Sequence, residues 1–545
     1  MSIARWVLAG LAAVGFALWA GAFIYKTSFV SFDGVRRYCL FDDAMISMRY
    51  AWNLSHGYGL VWNVAERVEG ITNLLMTLYM SIWTLALDKH LAVLAVQISG
   101  VAFLLAAGYA TMRTGEAVLD KSGIKGGPVL SVLFFSSALL YYPLDYWTLM
   151  GMENGLLCVL VFAAVWRAIA MSGEVRFHPA LPVLLGLAYM TRPDTAVFAA
   201  LIMLHRLLGV VRKKGGIKLI VLEAASLAAI VGAVTVFRLA YYGSIVPNTF
   251  TLRLTGSTLG FRVENGIIFV KPFLEVMALP LALGIGAVAL LRNRHAALLL
   301  GLFLSSVGYQ VYVGGGAWTC WRLMSTMVPI LMVLVVIGVA KAFTIRRWLD
   351  RVLGVAHGWR FNPAGAIVAT TAFCVWSYAY LEANDRFVEN IVFDKPPLYL
   401  KYSKINTDTG LALKSLLHPN ATIGVTWAGS IPYYSGLPAI DFLGKNDRYI
   451  AGLPPDHSGK LKMFGMKTLP GHDKYDLRYS MIKLKPTYVQ MFRWGRHNMS
   501  KYFRANYRRI RHKGVWVFVM KESPDVRWEL VNPRYRPKWW KEADG

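Results

Sequence analysis

Charge is what this chain has least of. Only 16% of its 545 residues are Asp, Glu, Lys or Arg, less than a soluble protein of this size carries. Cysteine is scarcer still. Cys39, Cys158, Cys320 and Cys374 are too few for a disulfide framework. No Cys-x-x-Cys or Cys/His pair offers a structural zinc site. Cys39 and Cys320 fall in loops expected on the outer side, where one bridge can form; four unpaired thiols is the simpler reading. Acidic residues are outnumbered, 31 against 58 Lys and Arg, for a net charge of +27. No nucleic-acid motif accompanies that excess, so nucleic acid is not an expected partner. Basic loops that fix topology and touch anionic lipid account for it. Sequence repeats of the kind found in many transporters are also missing, which weakens a carrier reading.

What is present is apolar. Hydrophobic residues make up 56% of the chain, and the mean hydropathy is +0.44. Runs of spanning length recur from Trp6 to about Leu381, which predicts a polytopic α-helical membrane protein of about 11 spans. Trp6–Phe23 is longer than a signal-peptide core and precedes no clear cleavage site, so it reads as an uncleaved first span with its amino terminus inside. The loops around Arg113–Lys125, Arg212–Lys214, Arg292–Arg294 and Lys341–Arg360 are basic and expected on the cytoplasmic side. That alternation conflicts with two full spans in Ile71–Leu87 and Leu91–Ala110. One of them is expected to be re-entrant, interfacial or half of a longer helix. Ala366–Leu381 is expected to be the last span.

From Asn384 the apolar runs shorten to strand length and turn residues cluster. Residues 1–383 therefore read as a membrane domain and 384–545 as a soluble, extracytoplasmic mixed α/β domain. Its tail, Arg493 to Lys541, is dense in Arg, Lys, Trp and Tyr. A solvated or lipid-facing basic surface is one reading; a saccharide-contacting face is the other.

The stretch that carries chemistry follows the first span. Placing Phe41–His56 on a helix puts Asp42, Arg49, Asn53 and His56 on one face. Asp42 and Asp43 fall in its first turn, where the helix dipole favours anions. Plain helix capping would also explain an Asp there. A carboxylate at a membrane surface can take the proton of an acceptor hydroxyl as that oxygen attacks an activated sugar carbon. A lipid-phosphate leaving group then needs cations, and Arg49, Arg192, Lys271 and Arg322 are the candidates, against a bland role in topology or snorkelling. Glu69, Glu153 and Asp194 are further carboxylates at span ends. One of them could orient the acceptor or bind a divalent cation, or, for Asp194, simply pair with Arg192. His56, Asn63, Asn73 and Asn248 are candidate sugar hydrogen-bonders.

Several blocks carry a resemblance. They are Phe41-Asp42-Asp43-Ala44-x-Ile46-Ser47-x-Arg49-Tyr50, Gly57-x-Gly59-Leu60-Val61-Trp62-Asn63 and Glu66-Arg67-Val68-Glu69-Gly70-x-Thr72-Asn73. Together they resemble the first outer loop of the GT-C glycosyltransferases, closest to the mycobacterial terminal arabinofuranosyltransferase group. Gly151-Met152-Glu153-Asn154, Thr191-Arg192-Pro193-Asp194, Val246 to Phe250, Gly314 to Arg322, Trp427 to Gly436 and Pro470-Gly471-His472-Asp473 follow in the order that group shows. Two departures stand out. Asn154 replaces the usual Thr, and Gly314-Gly315-Gly316-Ala317 lacks an Asp often found after the second Gly.

The resemblance implies an inverting transferase in the bacterial cytoplasmic membrane with its active site on the outer face. It implies a polyprenyl-phosphate sugar donor, arabinofuranose first among sugars, and Asp42 or Asp43 as the base. The expected acceptor is a cell-surface glycan or a protein. The alternatives are a protein mannosyltransferase-like enzyme on the same architecture, a carrier or flippase for lipid-linked sugars, and an inactive sugar-binding scaffold.

Overall fold

In the computed structural model, which describes residues 3–352, 389, 391–462, 465–537 and 540, the first apolar run is one helix, Ile3–Lys26. Among the described residues, six helices are long and apolar enough to cross a membrane: Ile3–Lys26, Lys89–Lys121, Pro193–Val210, Gly216–Tyr242, Arg294–Val313 and Ser325–Ala342. Two bent pairs raise the number to eight if each is one span. Pro128–Leu139 meets Tyr142–Leu149 at 53°, and Leu259–Val276 meets Ala278–Leu291 at 78°. Proline explains both bends. Pro143 and Pro280 lack the N–H that would bond to Leu139 and Val276, the last residues of the first member of each pair.

Leu74–Ala86, Asn154–Ala170 and Ala180–Thr191 are shorter apolar helices. The expected count of about 11 thus resolves into six to eight membrane-length units plus these three; Ala366–Leu381 lies outside the described residues. The conflict between residues 71 and 110 has a simple cause. Leu74–Ala86 has 13 residues and reaches only about 20 Å, short of the hydrocarbon core of about 30 Å. Lys89–Lys121, with 33 residues, reaches about 50 Å. Asp88 starts that helix by accepting from the His90 and Leu91 backbone N–H groups, each at 3.0 Å.

The C-terminal region is built on a five-stranded sheet. Its order is Ala439–Asp441, Ile423–Val425, Tyr488–Val489, Val515–Met520 and Tyr507–His512. The first three strands run parallel and the last two antiparallel. Alternation in Val515–Met520 buries Val517 and Val519. These pack in one apolar cluster with Leu413 and Leu416 of the Leu400–Leu416 helix, and with Ile46, Tyr50, Trp62 and Ile71 from the stretch after the first span. The two regions therefore share a core. Close approach is essential at one point: a Cβ on Gly429 would lie 2.0 Å from the Asp42 carbonyl oxygen. Cys39 and Cys158 are buried free thiols, so the Cys39–Cys320 bridge is not formed; Cys374 lies outside the described residues.

Candidate active site

The expected helix runs from Asp42 to Ser55. Phe41 fixes its start, its ring met edge-on by Trp318 at 4.7 Å, Trp147 at 5.0 Å and Tyr399 at 5.2 Å. Successive helical residues point about 100° apart, and here that separates two adjacent carboxylates. Asp42 turns to the C-terminal region. Its Oδ2 accepts from the Gly429 N–H and its Oδ1 from the Ser430 N–H, both at 2.9 Å. Burial pushes its carboxyl up to about 6, against the opposing pull of those two N–H groups.

Asp43 turns into an open cleft of about 200 Å3. Its Oδ2 accepts from Arg322 Nη1 at 3.0 Å and Trp318 Nε1 at 3.2 Å, and its Oδ1 accepts from Lys445 Nζ. Burial alone would raise its carboxyl, but Lys445 and Arg322 outweigh it and hold the group well below the usual carboxylate range. Asp43 is therefore ionised at neutral pH.

The charges continue inward. Arg322 Nη2 donates to Glu153 Oε1 at 3.1 Å, and Arg192 Nη1 donates to the same oxygen at 2.7 Å. Arg192 Nη2 then donates to Asp194 Oδ2 at 2.9 Å. Asn73 Nδ2 donates to Glu153 Oε2 at 3.2 Å, while its Oδ1 accepts from the Ser47 hydroxyl at 2.9 Å. Arg253 also lines the cleft, donating to the Gly315 carbonyl. It makes no ion pair among the described residues. Among the described residues, three carboxylates (Asp43, Glu153, Asp194) thus meet four cations (Lys445, Arg322, Arg192, Arg253), leaving one positive charge in excess. His472, also in the wall, is held neutral by burial, down to about 3.

Known proteins resemble this chain in sequence and in fold. Residues 398–533 match a family model described as a domain of unknown function, DUF8728. The terminal β-(1→2)-arabinofuranosyltransferase of Mycobacterium tuberculosis is 28% identical over 258 residues, 45% of this chain and 39% of that protein. The chain thus spans about two-fifths of the length of that curated relative. The apo crystal structure of ArnT from Cupriavidus metallidurans superposes with a TM-score of 0.51 at 14% identity, covering 80% of this chain and 85% of that one. The apo Archaeoglobus fulgidus oligosaccharyltransferase gives 0.52 at 10% identity, covering 97% and 75%.

The fold is of the GT-C type. In sequence the chain is similar to the terminal arabinofuranosyltransferases. Within it, the cleft gathers Asp43, Asn73, Arg192, Asp194 and Arg322 from the residues the sequence singled out, with Glu153 buried beneath them. Asp42, held by Gly429 and Ser430, and six others lie elsewhere. Arg49 is buried against the C-terminal region, donating to the carbonyls of Trp62, Pro432 and Leu437 and to Asn63 Oδ1. Asn63 in turn donates to the Ala439 carbonyl at 2.8 Å. Glu69 is buried in an ion pair with Arg238 at 2.9 Å. Asn248 holds the Gly444 and Lys445 carbonyls. His56 is exposed and stacks on Trp52. Lys271 is exposed and sits 3.9 Å from Glu275. None of these six lines the cleft, because each already satisfies a neighbour or faces away.

Lys445, Arg253 and His472 were not foreseen. Lys445 stands 402 residues from Asp43, and no local spacing announces it. Arg253 carries a fainter signal, five residues beyond Asn248 on the Asn248–Leu254 helix. His472 lies inside a block that carries the resemblance. A divalent cation has no matching donor set: among the described residues no three His, Cys, Asp or Glu converge, and each cleft carboxylate is already paired with a cation.

Proposed function

We propose that this protein is an inverting membrane glycosyltransferase that moves a sugar, arabinofuranose, from a polyprenyl-phosphate donor to a cell-surface glycan or protein acceptor. One observation carries the reading. Asp43 is an ionised carboxylate at a cleft whose surplus of one positive charge complements the single negative charge of a sugar phosphodiester. The acceptor oxygen attacks the anomeric carbon as the bond from that carbon to the phosphate oxygen breaks. The bonding pair leaves with the polyprenyl phosphate, and the hydroxyl proton passes to Asp43. Arg322, Lys445 and Arg253 are placed to answer the charge that grows on the phosphate. The relationship to arabinofuranosyltransferases supports the choice of sugar.

Loop placement supports an active site on the extracytoplasmic side of the bacterial cytoplasmic membrane. The basic turns gather at one face: Asn293 donates to Ser122 at 2.9 Å, and Arg294 and Lys213 reach Ser172 and the Gly173 carbonyl. The helices ending there lead back to the cleft at the opposite face, which by the positive-inside rule is the outer one.

The test uses purified protein, synthetic polyprenyl-phosphate arabinose and a small arabinoside acceptor. Asp43→Asn is expected to abolish transfer while still binding donor. Asp42→Asn is expected to lower Tm yet keep measurable turnover. Undiminished transfer by Asp43→Asn would overturn the mechanism.

A further inference from the structure

Lys445 reaches Asp43 from a loop with little freedom to place it elsewhere. The loop follows the strand Ala439–Asp441. Asp441 Oδ1 accepts from the Leu443 N–H at 3.0 Å, and its Oδ2 accepts from the Asn446 N–H at 2.9 Å and Nδ2 at 3.1 Å. Asn446 Oδ1 accepts from the Tyr50 hydroxyl at 2.9 Å. Asn248 Nδ2 donates to the Gly444 carbonyl at 2.9 Å and the Lys445 carbonyl at 3.0 Å. Gly70 lies so close that a Cβ there would come within 2.0 Å of Asn446 Oδ1. The backbone of Lys445 is thus held from both flanks, and only its flexible four-carbon stem is free to move.

At the end of that stem the two oxygens of Asp43 are both taken, Oδ1 by Lys445 and Oδ2 by Arg322 and Trp318. Oδ1 keeps a second lone pair, but with a cation on each oxygen the carboxylate is a poor acceptor for the proton of an acceptor hydroxyl. Resting on the reading above, we propose that Lys445 keeps Asp43 idle until donor arrives, and that the donor phosphate then draws the ammonium away and frees Oδ1. The charge balance favours such an exchange. During transfer one negative charge disappears from Asp43 as it takes the proton. One appears on the phosphate as the bond to the sugar breaks. A lysine able to reach both places follows that charge from one to the other. The other groups facing Asp43 are Arg322, which Glu153 also holds, the neutral His472, and the neighbouring Asp42.

The experiment compares full-length wild type with Lys445→Met and Lys445→Arg. It measures equilibrium binding of polyprenyl phosphate without sugar, donor KM, kcat and their pH profiles, with Tm as the check on folding. Lys445→Met is expected to weaken polyprenyl phosphate binding about 10- to 100-fold and to raise donor KM. The acid limb of kcat/KM should move up by about one to three pH units, because Asp43 loses one of its cations. Lys445→Arg should restore most of both. Unchanged phosphate binding and an unchanged pH profile in Lys445→Met would overturn the exchange, as would a Met variant faster than wild type at saturating donor. If wild type transfers no sugar from any polyprenyl-phosphate donor, the functional reading fails on its own. The binding comparison would still judge whether Lys445 answers a phosphate.

Discussion

Asp42 and Asp43 are neighbours of one residue type in opposite electrostatic settings. Asp42 is buried with two backbone N–H groups and, among the described residues, no cation bonded to it; Asp43 has two cations. The sign for stability follows. Asp42 ionises near pH 6 in the folded chain against 3.8 for the ordinary group. Its stabilising contribution is therefore complete below about pH 4 and lost as pH rises through 6, a swing of about 3 kcal/mol. Unfolding of wild type and Asp42→Asn at pH 4 and pH 7 is expected to show wild type relatively more stable at the lower pH. Asp43 works the other way, losing its contribution only as pH falls below the carboxylate range. Glu153 binds Arg192 and Arg322 at a site 1% exposed. Glu153→Gln should cost about 3 kcal/mol, because two partly buried guanidinium groups lose the carboxylate they share and keep only Asp194 and Asp43, and thermal unfolding would register it.

At the scale of elements, two glycines set how closely the C-terminal region can approach. Alanine at Gly429 would press on the Asp42 carbonyl, and alanine at Gly70 on Asn446. Each should destabilise the docked arrangement by about 1–3 kcal/mol. Gly70→Ala should also reduce turnover by moving the loop that carries Lys445; Tm and kcat measured together would separate the two effects. The same interface explains how far the sequence could be read. The helix from Asp42, its carboxylate-bearing first turn and the shared face of Asp42 and Arg49 were all legible from period and spacing. What that face meets was not. It meets Gly429, Pro432 and Leu437, so Arg49 became a buried anchor and Asp43, pointing about 100° away, was left to the cleft. Hydropathy marked the apolar segments well. It could not mark the bends, which depend on where a single missing N–H at Pro143 or Pro280 falls. Lys445 was illegible for a plainer reason: the contact is made only after the chain has folded back across most of its length.

At the scale of the molecule, shared apolar packing and a shared cleft make the C-terminal region one cooperative body with the stretch after the first span. Amide exchange should then show the Gly429 and Ser430 N–H groups as slow as the sheet interior, and Asp42→Ala should speed those two selectively. The long helix Gly216–Tyr242 behaves differently. Most of its apolar surface faces outward, yet it is pinned at two levels. Glu223 meets Arg206 at 3.2 Å, and Arg238 meets Glu69 at 2.9 Å. Its surface tolerates almost any apolar residue, but its phase does not. One residue inserted between Glu223 and Arg238 turns the far pin by about 100° and unseats it. The helix is an indexed rod, and Glu69, the residue it indexes, is followed directly by Gly70 at the loop that carries Lys445.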